Sequence, residues 1–110
     1  MPHYMYRWQL KSDAVKGLVN APVDREGPAR TLVQAFGGKL LSYYYTAGEY
    51  DGLAIVEMPD HVAAAALSLR AASTGGFARF ETSLLLTTQE AKTALERAKA
   101  TAGDYRPPGH

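Results

Sequence analysis

The sequence predicts an α+β domain in which helices cover one face of a four-stranded antiparallel sheet. Two observations support this fold class. Segments that alternate like strands are interspersed with segments spaced like amphipathic helices, in the order strand, helix, strand, strand, helix, strand, helix. The chain has 110 residues, 46% of them hydrophobic, and no cysteine, which suits one domain with its own core. The net charge of +1 argues against a dedicated nucleic-acid binder.

The first strand is predicted over residues 3–10, where apolar and polar side chains alternate. One face of this strand is aromatic or aliphatic and consists of Tyr4, Tyr6, Trp8 and Leu10. Ser12 is predicted to cap a short helix from Asp13 to about Val19, because its hydroxyl can accept a backbone N–H bond.

A second helical stretch is predicted to begin between Asp24 and Pro28. Its apolar residues follow helical spacing and are Ala29, Leu32, Val33 and Phe36. Gly37 and Gly38 are predicted to end it, since glycine adopts the left-handed conformation without strain.

The second and third strands form a predicted hairpin over residues 39–46 and 52–58. Alternation places Leu41, Tyr43 and Tyr45 on one face and Leu40, Ser42 and Tyr44 on the other. Gly48 is expected to supply a positive φ in the turn between them. The third strand is nearly continuous in apolar residues, so we expect both of its faces to be covered.

Asp60 is the predicted N-cap of the next helix, which ends at Thr74-Gly75-Gly76. The predicted buried stripe of that helix consists of Val62, Ala65, Ala66 and Leu69. A fourth strand follows over residues 77–86, with Arg79, Glu81 and Ser83 on one face.

Thr87 and Glu90 form the capping box of a last helix. Its apolar stripe consists of Ala91, Ala94, Leu95 and Ala98. Together the elements give the ferredoxin-like βαββαβ order with an extra C-terminal helix. We predict one domain over residues 1–102 and a flexible or docking tail over residues 103–110.

The sheet face opposite the helices is predicted to mix apolar and charged side chains. Leu53 and Ile55 would lie at its centre, and its charged members are Arg7, Glu57, Arg79 and Glu81. Such mixing suits a homodimer interface or the lining of a cavity between two sheets. The charged residues are predicted to form an ion-pair network, or alternatively to let Arg7 clamp an anion.

The chain resembles the GYD-domain family. The residues that support the resemblance are Gly48-Glu49-Tyr50-Asp51 with Glu57 and Pro59-Asp60, Gly37-Gly38-Lys39, Pro22 with Asp24-Arg25, and the Thr-Thr-Gln-Glu start of the last helix. This resemblance implies a dimeric α+β barrel, in which two ferredoxin-like subunits pack their open faces together. It implies no activity and no catalytic residues.

Six residues are candidates for ligand binding: His3, Arg7, Tyr45, Tyr50, Asp51 and Glu57. Tyr50 and Asp51 serve either as turn residues or as a hydroxyl–carboxylate pair at a barrel mouth. The tyrosines serve either as packing residues or as the walls of a pocket for a planar ligand. No spacing motif indicates a metal site, and we predict no metal or cofactor.

Three functions fit the sequence. The first is a homo-oligomeric barrel that binds a small aromatic or apolar molecule as an accessory protein; the second is a cofactor-independent enzyme on such a molecule. The third is a structural oligomer whose barrel is filled by side chains. The third predicted strand has no aromatic residue and the charge is near neutral, so we expect no RNA partner. We found no targeting signal or apolar run long enough to span a bilayer, so we predict a cytoplasmic protein without a membrane partner.

Overall fold

A computed structural model describes residues 1–109 of the chain. Within these residues, four strands and four α-helices follow one another. In chain order they are β1 (His3–Leu10), α1 (Ser12–Asn20), α2 (Glu26–Ala35), β2 (Lys39–Tyr45), β3 (Gly52–Glu57), α3 (His61–Ala72), β4 (Phe77–Leu85) and α4 (Thr88–Ala100). A short 3₁₀ turn at Ala102–Asp104 follows α4. The predicted tail extends to residue 110, which lies outside the described residues, and the predicted boundary at residue 102 stays a prediction.

The strands form one antiparallel sheet in the order β2-β3-β1-β4. β1 therefore lies inside the sheet, where His3 pairs with Glu57 of β3 and with Leu85 of β4. The connection from β1 to β2, through α1 and α2, passes over β3, and the connection from β3 to β4, through α3, passes over β1. This arrangement confirms the predicted ferredoxin-like α+β fold with an additional C-terminal helix.

One face of the sheet is covered by α1, α2 and α3 and holds the core. Tyr4, Tyr6 and Trp8 are buried there, as the alternation of β1 predicts. Val56 and Met58 beside them have no solvent exposure at all. The prediction that the alternate residues of β1 turn toward the opposite, open face is therefore also confirmed.

The buried stripe of α3 differs from the predicted one. Ala64, Leu67 and Ala71 are the buried residues of this helix. Val62 and Leu69, which the sequence placed in the core, are 65% and 71% exposed. The prediction was wrong because an alanine-rich helix is apolar on several sides, and the spacing of its residues cannot choose among them.

A bulge in β2 changes which residues face the core. The pairing with β3 shifts between Leu40 and Ser42, so that Leu40 opposes Val56 and Ser42 opposes Ile55. Leu40 is consequently buried on the same side as Tyr43, whereas simple alternation had placed them on opposite faces. The extra residue of a bulge interrupts the two-residue period on which that prediction depended.

The helix ends agree with most local signals. The Asp60 carboxylate accepts a hydrogen bond from the Ala63 N–H at 2.8 Å, and Thr87 and Glu90 form the predicted capping box. α2 begins at Glu26, inside the predicted range, and Gly37 has a φ of +80° just beyond its end.

Two local predictions were wrong. Ser12 is the first residue of α1 and not its cap, since Lys11 holds the N-cap position without a side-chain bond. Gly48 does not have a positive φ; within residues 1–109 that conformation is confined to other glycines. The loop around Gly48 spans six residues rather than a tight turn of two, so no left-handed residue is required there.

The first and last α-helices contain no buried residue in the described chain. Leu95 in the apolar stripe of α4 is 70% exposed, so this stripe is uncovered in the single chain. None of the helices described for residues 1–109 is long and apolar enough to cross a bilayer.

Candidate functional site

The open face of the sheet has an apolar centre between two groups of polar side chains. Met5 of β1 lies between Ile55 of β3 and Ser83 of β4, and Leu53 is the next residue of β3 on this face. Met5, Leu53 and Ile55 are each only partly buried. An uncovered apolar centre of this kind is uncommon on a sheet that faces only solvent.

The larger polar group surrounds Tyr50, and we call Arg7, Glu49, Tyr50, Arg79 and Glu81 the Tyr50 cluster. The Tyr50 hydroxyl donates to Glu81 Oε2 at 2.9 Å, and Arg7 Nε donates to the same oxygen at 3.0 Å. Arg79 Nη2 donates to Glu81 Oε1 at 2.7 Å, and Arg79 Nη1 to Glu49 at 3.2 Å. The Arg7 guanidinium carbon lies 4.3 Å from the centre of the Tyr50 ring. Glu81 is thus the acceptor that joins the cluster.

The sheet register positions most of this cluster. Arg7 and Glu81 are cross-strand partners between β1 and β4, so their side chains emerge side by side on the open face. Tyr50 comes from the loop between β2 and β3. That loop is held to the sheet because the Asp51 N–H donates to the Trp8 carbonyl at 2.8 Å and the Thr46 N–H donates to the Asp51 carbonyl at 3.1 Å.

The electrostatics of the cluster favour fixed charges over proton exchange. The hydrogen bond from Tyr50, together with the guanidinium groups of Arg7 and Arg79, holds the pKa of Glu81 below its usual value. The same hydrogen bond raises the pKa of the Tyr50 hydroxyl. Neither group is shifted toward neutral pH, where a general acid or base is most effective. Two guanidinium groups face two carboxylates, so the cluster is balanced in charge.

The second polar group of the open face is a pair. His3 Nε2 lies 3.0 Å from Glu57 Oε1, and the two residues are cross-strand partners. The four-residue separation from Arg7 along β1 amounts to about 13 Å. In the part of the chain that the structure describes, no three histidine, aspartate or glutamate side chains come together as a metal site would require.

The remaining two predicted site residues lie on the opposite side of the sheet. Asp51 Oδ2 accepts the backbone N–H of Leu10 at 2.7 Å, which is the structural role expected of a turn residue. The Tyr50 hydroxyl binds Glu81 and not Asp51, so the predicted hydroxyl–carboxylate pair involves a different acid. Tyr45 is about half exposed beside Tyr43, with 6.0 Å between the ring centres.

The six candidate residues therefore lie in three places. Arg7 and Tyr50 belong to the Tyr50 cluster, and His3 and Glu57 form the second polar group. Tyr45 and Asp51 lie on the opposite side of the sheet. Glu81, the acceptor of the cluster, was not among the six candidates. It was named instead in the predicted ion-pair network with Arg7, Arg79 and Glu57. The structure joins Glu81 to Arg7 and Arg79, whereas Glu57 pairs with His3 and lies outside that network.

A shallow pocket of about 280 Å³ adjoins the Tyr50 cluster on the open face. Its walls include Met5, Arg7, Tyr50 and Leu53, so it has both apolar surface and hydrogen-bond donors.

Comparison with known protein families shows which family the chain belongs to. The family model described as "GYD domain" matches residues 4–95, which include every strand and helix up to the middle of α4. The chain belongs to the GYD-domain family. Among solved structures, the crystal structure of MtbAldR (Rv2779c) matches with a TM-score of 0.54 at 17% identity, covering 78% of this chain and 52% of that one. This GYD-domain chain thus spans about half the length of that structure and shares its fold. No curated protein matches the sequence.

Proposed function

We propose that this GYD-domain protein acts as a homodimeric α+β barrel, in which two open faces pack together and a small molecule binds between them. The observation that supports the proposal best is the composition of that face. Met5, Leu53 and Ile55 form an apolar centre, and the charged side chains around it are paired within the chain. Interfaces commonly combine an apolar centre with a polar rim in this way.

The internal pairing of charges favours association. An unpaired charge is costly to remove from water, whereas a charge with its partner and hydrogen bonds in place costs much less. Glu81 accepts bonds from Tyr50, Arg7 and Arg79 before any second copy arrives. A two-fold dimer would place the same patch on both sides, so each subunit needs such a self-sufficient surface.

The ligand site we propose is the pocket beside the Tyr50 cluster. Its volume of about 280 Å³ in one subunit is just below the usual range for ligand sites, and a second copy would close its open side. Met5 and Leu53 would contact an apolar or aromatic molecule, and the Tyr50 hydroxyl oxygen, whose proton is donated to Glu81, would orient it as a hydrogen-bond acceptor. His3 and Glu57 lie farther along the same face, whereas Tyr45 and Asp51 face away and are not part of this proposal.

No observation favours an enzyme over a binding protein. The pKa of Tyr50 is raised and that of Glu81 is lowered, so neither pKa moves toward neutral pH, where a general acid or base is most effective. The cytoplasmic location stays a prediction.

Sizing chromatography with light scattering tests the dimer. We expect the wild type to have twice the mass of one chain and Leu53→Asp to shift it toward the monomer, because an unpaired carboxylate would enter an apolar interface. Val62→Asp is the matched control, since Val62 is an exposed valine on the outer side of α3. A monomeric wild type, or an unchanged mass for Leu53→Asp, would contradict the dimer.

A high-resolution crystal structure of protein purified from its own host tests the ligand. We expect electron density for a small molecule beside Tyr50, between the two sheets. An interface filled completely by side chains would contradict the binding function and support the structural oligomer.

A further inference from the structure

We propose a second binding site on the helix-covered side of the sheet, beneath α1, for an uncharged apolar molecule with a flat aromatic ring. It is separate from the open face and does not depend on the dimer. A cavity of about 740 Å³ that is open to solvent on one side lies there, bounded by α1, α2, part of α3 and the covered face of the sheet. This volume is within the range of small-molecule sites.

The floor of the cavity is aromatic. Trp8 lies 6.2 Å from Phe80 with ring planes 12° apart, and 5.4 Å from Tyr43, measured between ring centres. Phe77 packs edge-on against both Trp8 and Phe80. Trp8 itself is only 7% exposed, so the ring surface open to a ligand belongs to the partly buried Tyr43, Phe77 and Phe80. Such rings offer flat surfaces for offset stacking, so a planar aromatic ligand matches the floor better than a branched aliphatic one.

The roof of the cavity is α1, whose apolar side faces the sheet without being buried. Ala14 and Leu18 lie one turn apart and both line the cavity, yet neither is buried. An amphipathic helix normally buries such residues against its domain. Here the helix stands away from the floor, and the apolar residues on both sides lack the partner that a ligand would provide.

The charge of the lining selects for a neutral ligand. Among the described residues that line the cavity, only Arg25 and Asp51 are charged. Asp51 is already engaged by the Leu10 N–H. The Tyr43 hydroxyl is neutral at physiological pH, as tyrosine normally is, and burial raises its pKa further to about 12. A cationic ligand would therefore lose its hydration here without finding a free opposite charge. Arg25 is exposed to solvent, so its water-screened charge offers an anionic ligand little attraction.

Titration with N-phenylnaphthylamine, an uncharged planar aromatic fluorophore, tests the proposal. We expect saturable binding of one probe per chain with micromolar affinity. Trp8 is the single tryptophan of the chain and lines the cavity, so its emission should fall as that of the probe rises. Probe emission that increases without saturation would overturn the proposal.

Cavity-filling variants locate the bound probe. Ala14→Phe and Leu18→Phe extend side chains into the cavity, and each should weaken binding at least tenfold while circular dichroism shows an unchanged fold. Val62→Phe, an equally apolar addition on the outer side of α3, should bind the probe like the wild type. If either folded filling variant binds the probe as tightly as the wild type, the site is not beneath α1.

The open-face variant Leu53→Asp separates this site from the proposed dimer. Leu53 lies on the other side of the sheet, so Leu53→Asp should retain the probe affinity whether or not its mass changes. Loss of probe binding in Leu53→Asp with the fold intact would place the probe on the open face instead and overturn the proposal.

Discussion

α1 and α3 cover the same face of one sheet, but only α3 is packed into it. Ala64, Leu67 and Ala71 of α3 are buried, whereas α1 has no buried residue. Directly under α3 the Tyr6 hydroxyl donates to the Ala64 carbonyl at 2.7 Å. Under α1 there is instead a cavity of about 740 Å³. An apolar stripe therefore places a helix over a sheet, but it does not ensure that the two are in close contact.

Residue choice accounts for the difference between the two helices. The alanines of α3 have short side chains, so its backbone comes close enough for the Tyr6 bond. Asp60 caps α3 with a side-chain bond, while α1 has no such cap and carries Gly17 in its interior. A glycine inside a helix and a missing cap each cost up to about 1 kcal/mol.

The largest effect we expect comes from the same truncation in the two helices. Leu67→Ala should lower the free energy of unfolding by about 2–5 kcal/mol, because Leu67 is only 3% exposed and its truncation removes side-chain contacts from the core. Leu18→Ala should cost less than about 1 kcal/mol, since Leu18 is only partly buried and α1 has no buried residue. Urea denaturation of both variants measures the two values. Equal losses would show that α1 is as tightly packed in solution as α3.

We expect a smaller loss of stability from a substitution at Gly52, where Trp8 of the cavity floor contacts β3. A Cβ atom on Gly52 would lie 2.5 Å from Trp8 Cζ2, so Gly52→Ala must displace the indole. We expect a cost of about 1–3 kcal/mol and a changed near-UV circular dichroism signal. Gly48→Ala, in the loop that precedes β3, is the control, because nothing lies within 4 Å of its added Cβ. An unchanged near-UV signal in Gly52→Ala would show that the added methyl group is accommodated without displacing Trp8.

Alkaline titration compares one buried tyrosine from each region. Burial raises the pKa of Tyr6, under α3, and of Tyr43, beside the cavity, to about 12 in both cases. The unfolded chain ionises near pH 10, so the stability they contribute is complete below pH 10 and is lost as the pH rises toward 12.

Absorbance of phenolate against pH, with denaturation followed in parallel, measures this effect. Tyr6→Phe should cost about 1 kcal/mol at neutral pH through its lost hydrogen bond, while Tyr43→Phe should cost less. Ionisation of Tyr43 near pH 10 in the folded protein would show that water fills the cavity.

The smallest effect tests whether α1 itself is weak. Gly17→Ala should raise stability by about 0.5–1 kcal/mol, because Gly17 has an ordinary helical backbone and open space around its Cβ position. Thermal unfolding measures the gain. Gly75→Ala is the contrasting control near α3, where a φ of +81° makes any side chain strained. A destabilised Gly17→Ala would mean that α1 approaches the sheet more closely in solution.

The parts of the fold that depend on short-range chemistry were predictable. Asp60, Thr87 and Glu90 act on backbone groups within one turn, so their roles are visible in the sequence itself. The alternation of β1 likewise gave its buried face, because its apolar and polar residues are cleanly separated.

Longer-range features were not predictable from these patterns. The bulge at Leu40 depends on pairing with β3, and the buried side of α3 depends on which alanines meet Tyr6. The candidate site shows the same limit. Arg7, Arg79 and Glu81 were named from sequence as an ion-pair network, but the bond from Tyr50 to Glu81 becomes apparent only when the loop and the paired strands are placed.

The interior position of β1 also has a consequence for how the chain folds as it is synthesised. β1 leaves the ribosome before both of its neighbours, and 74 residues separate Arg7 from its partner Glu81. The four-stranded sheet therefore cannot be completed until β4 has emerged. Until then, β1 lacks one of its two neighbouring strands. Distant pairings of this kind slow folding and lengthen the time in which a chaperone or an aggregating neighbour can reach the nascent chain.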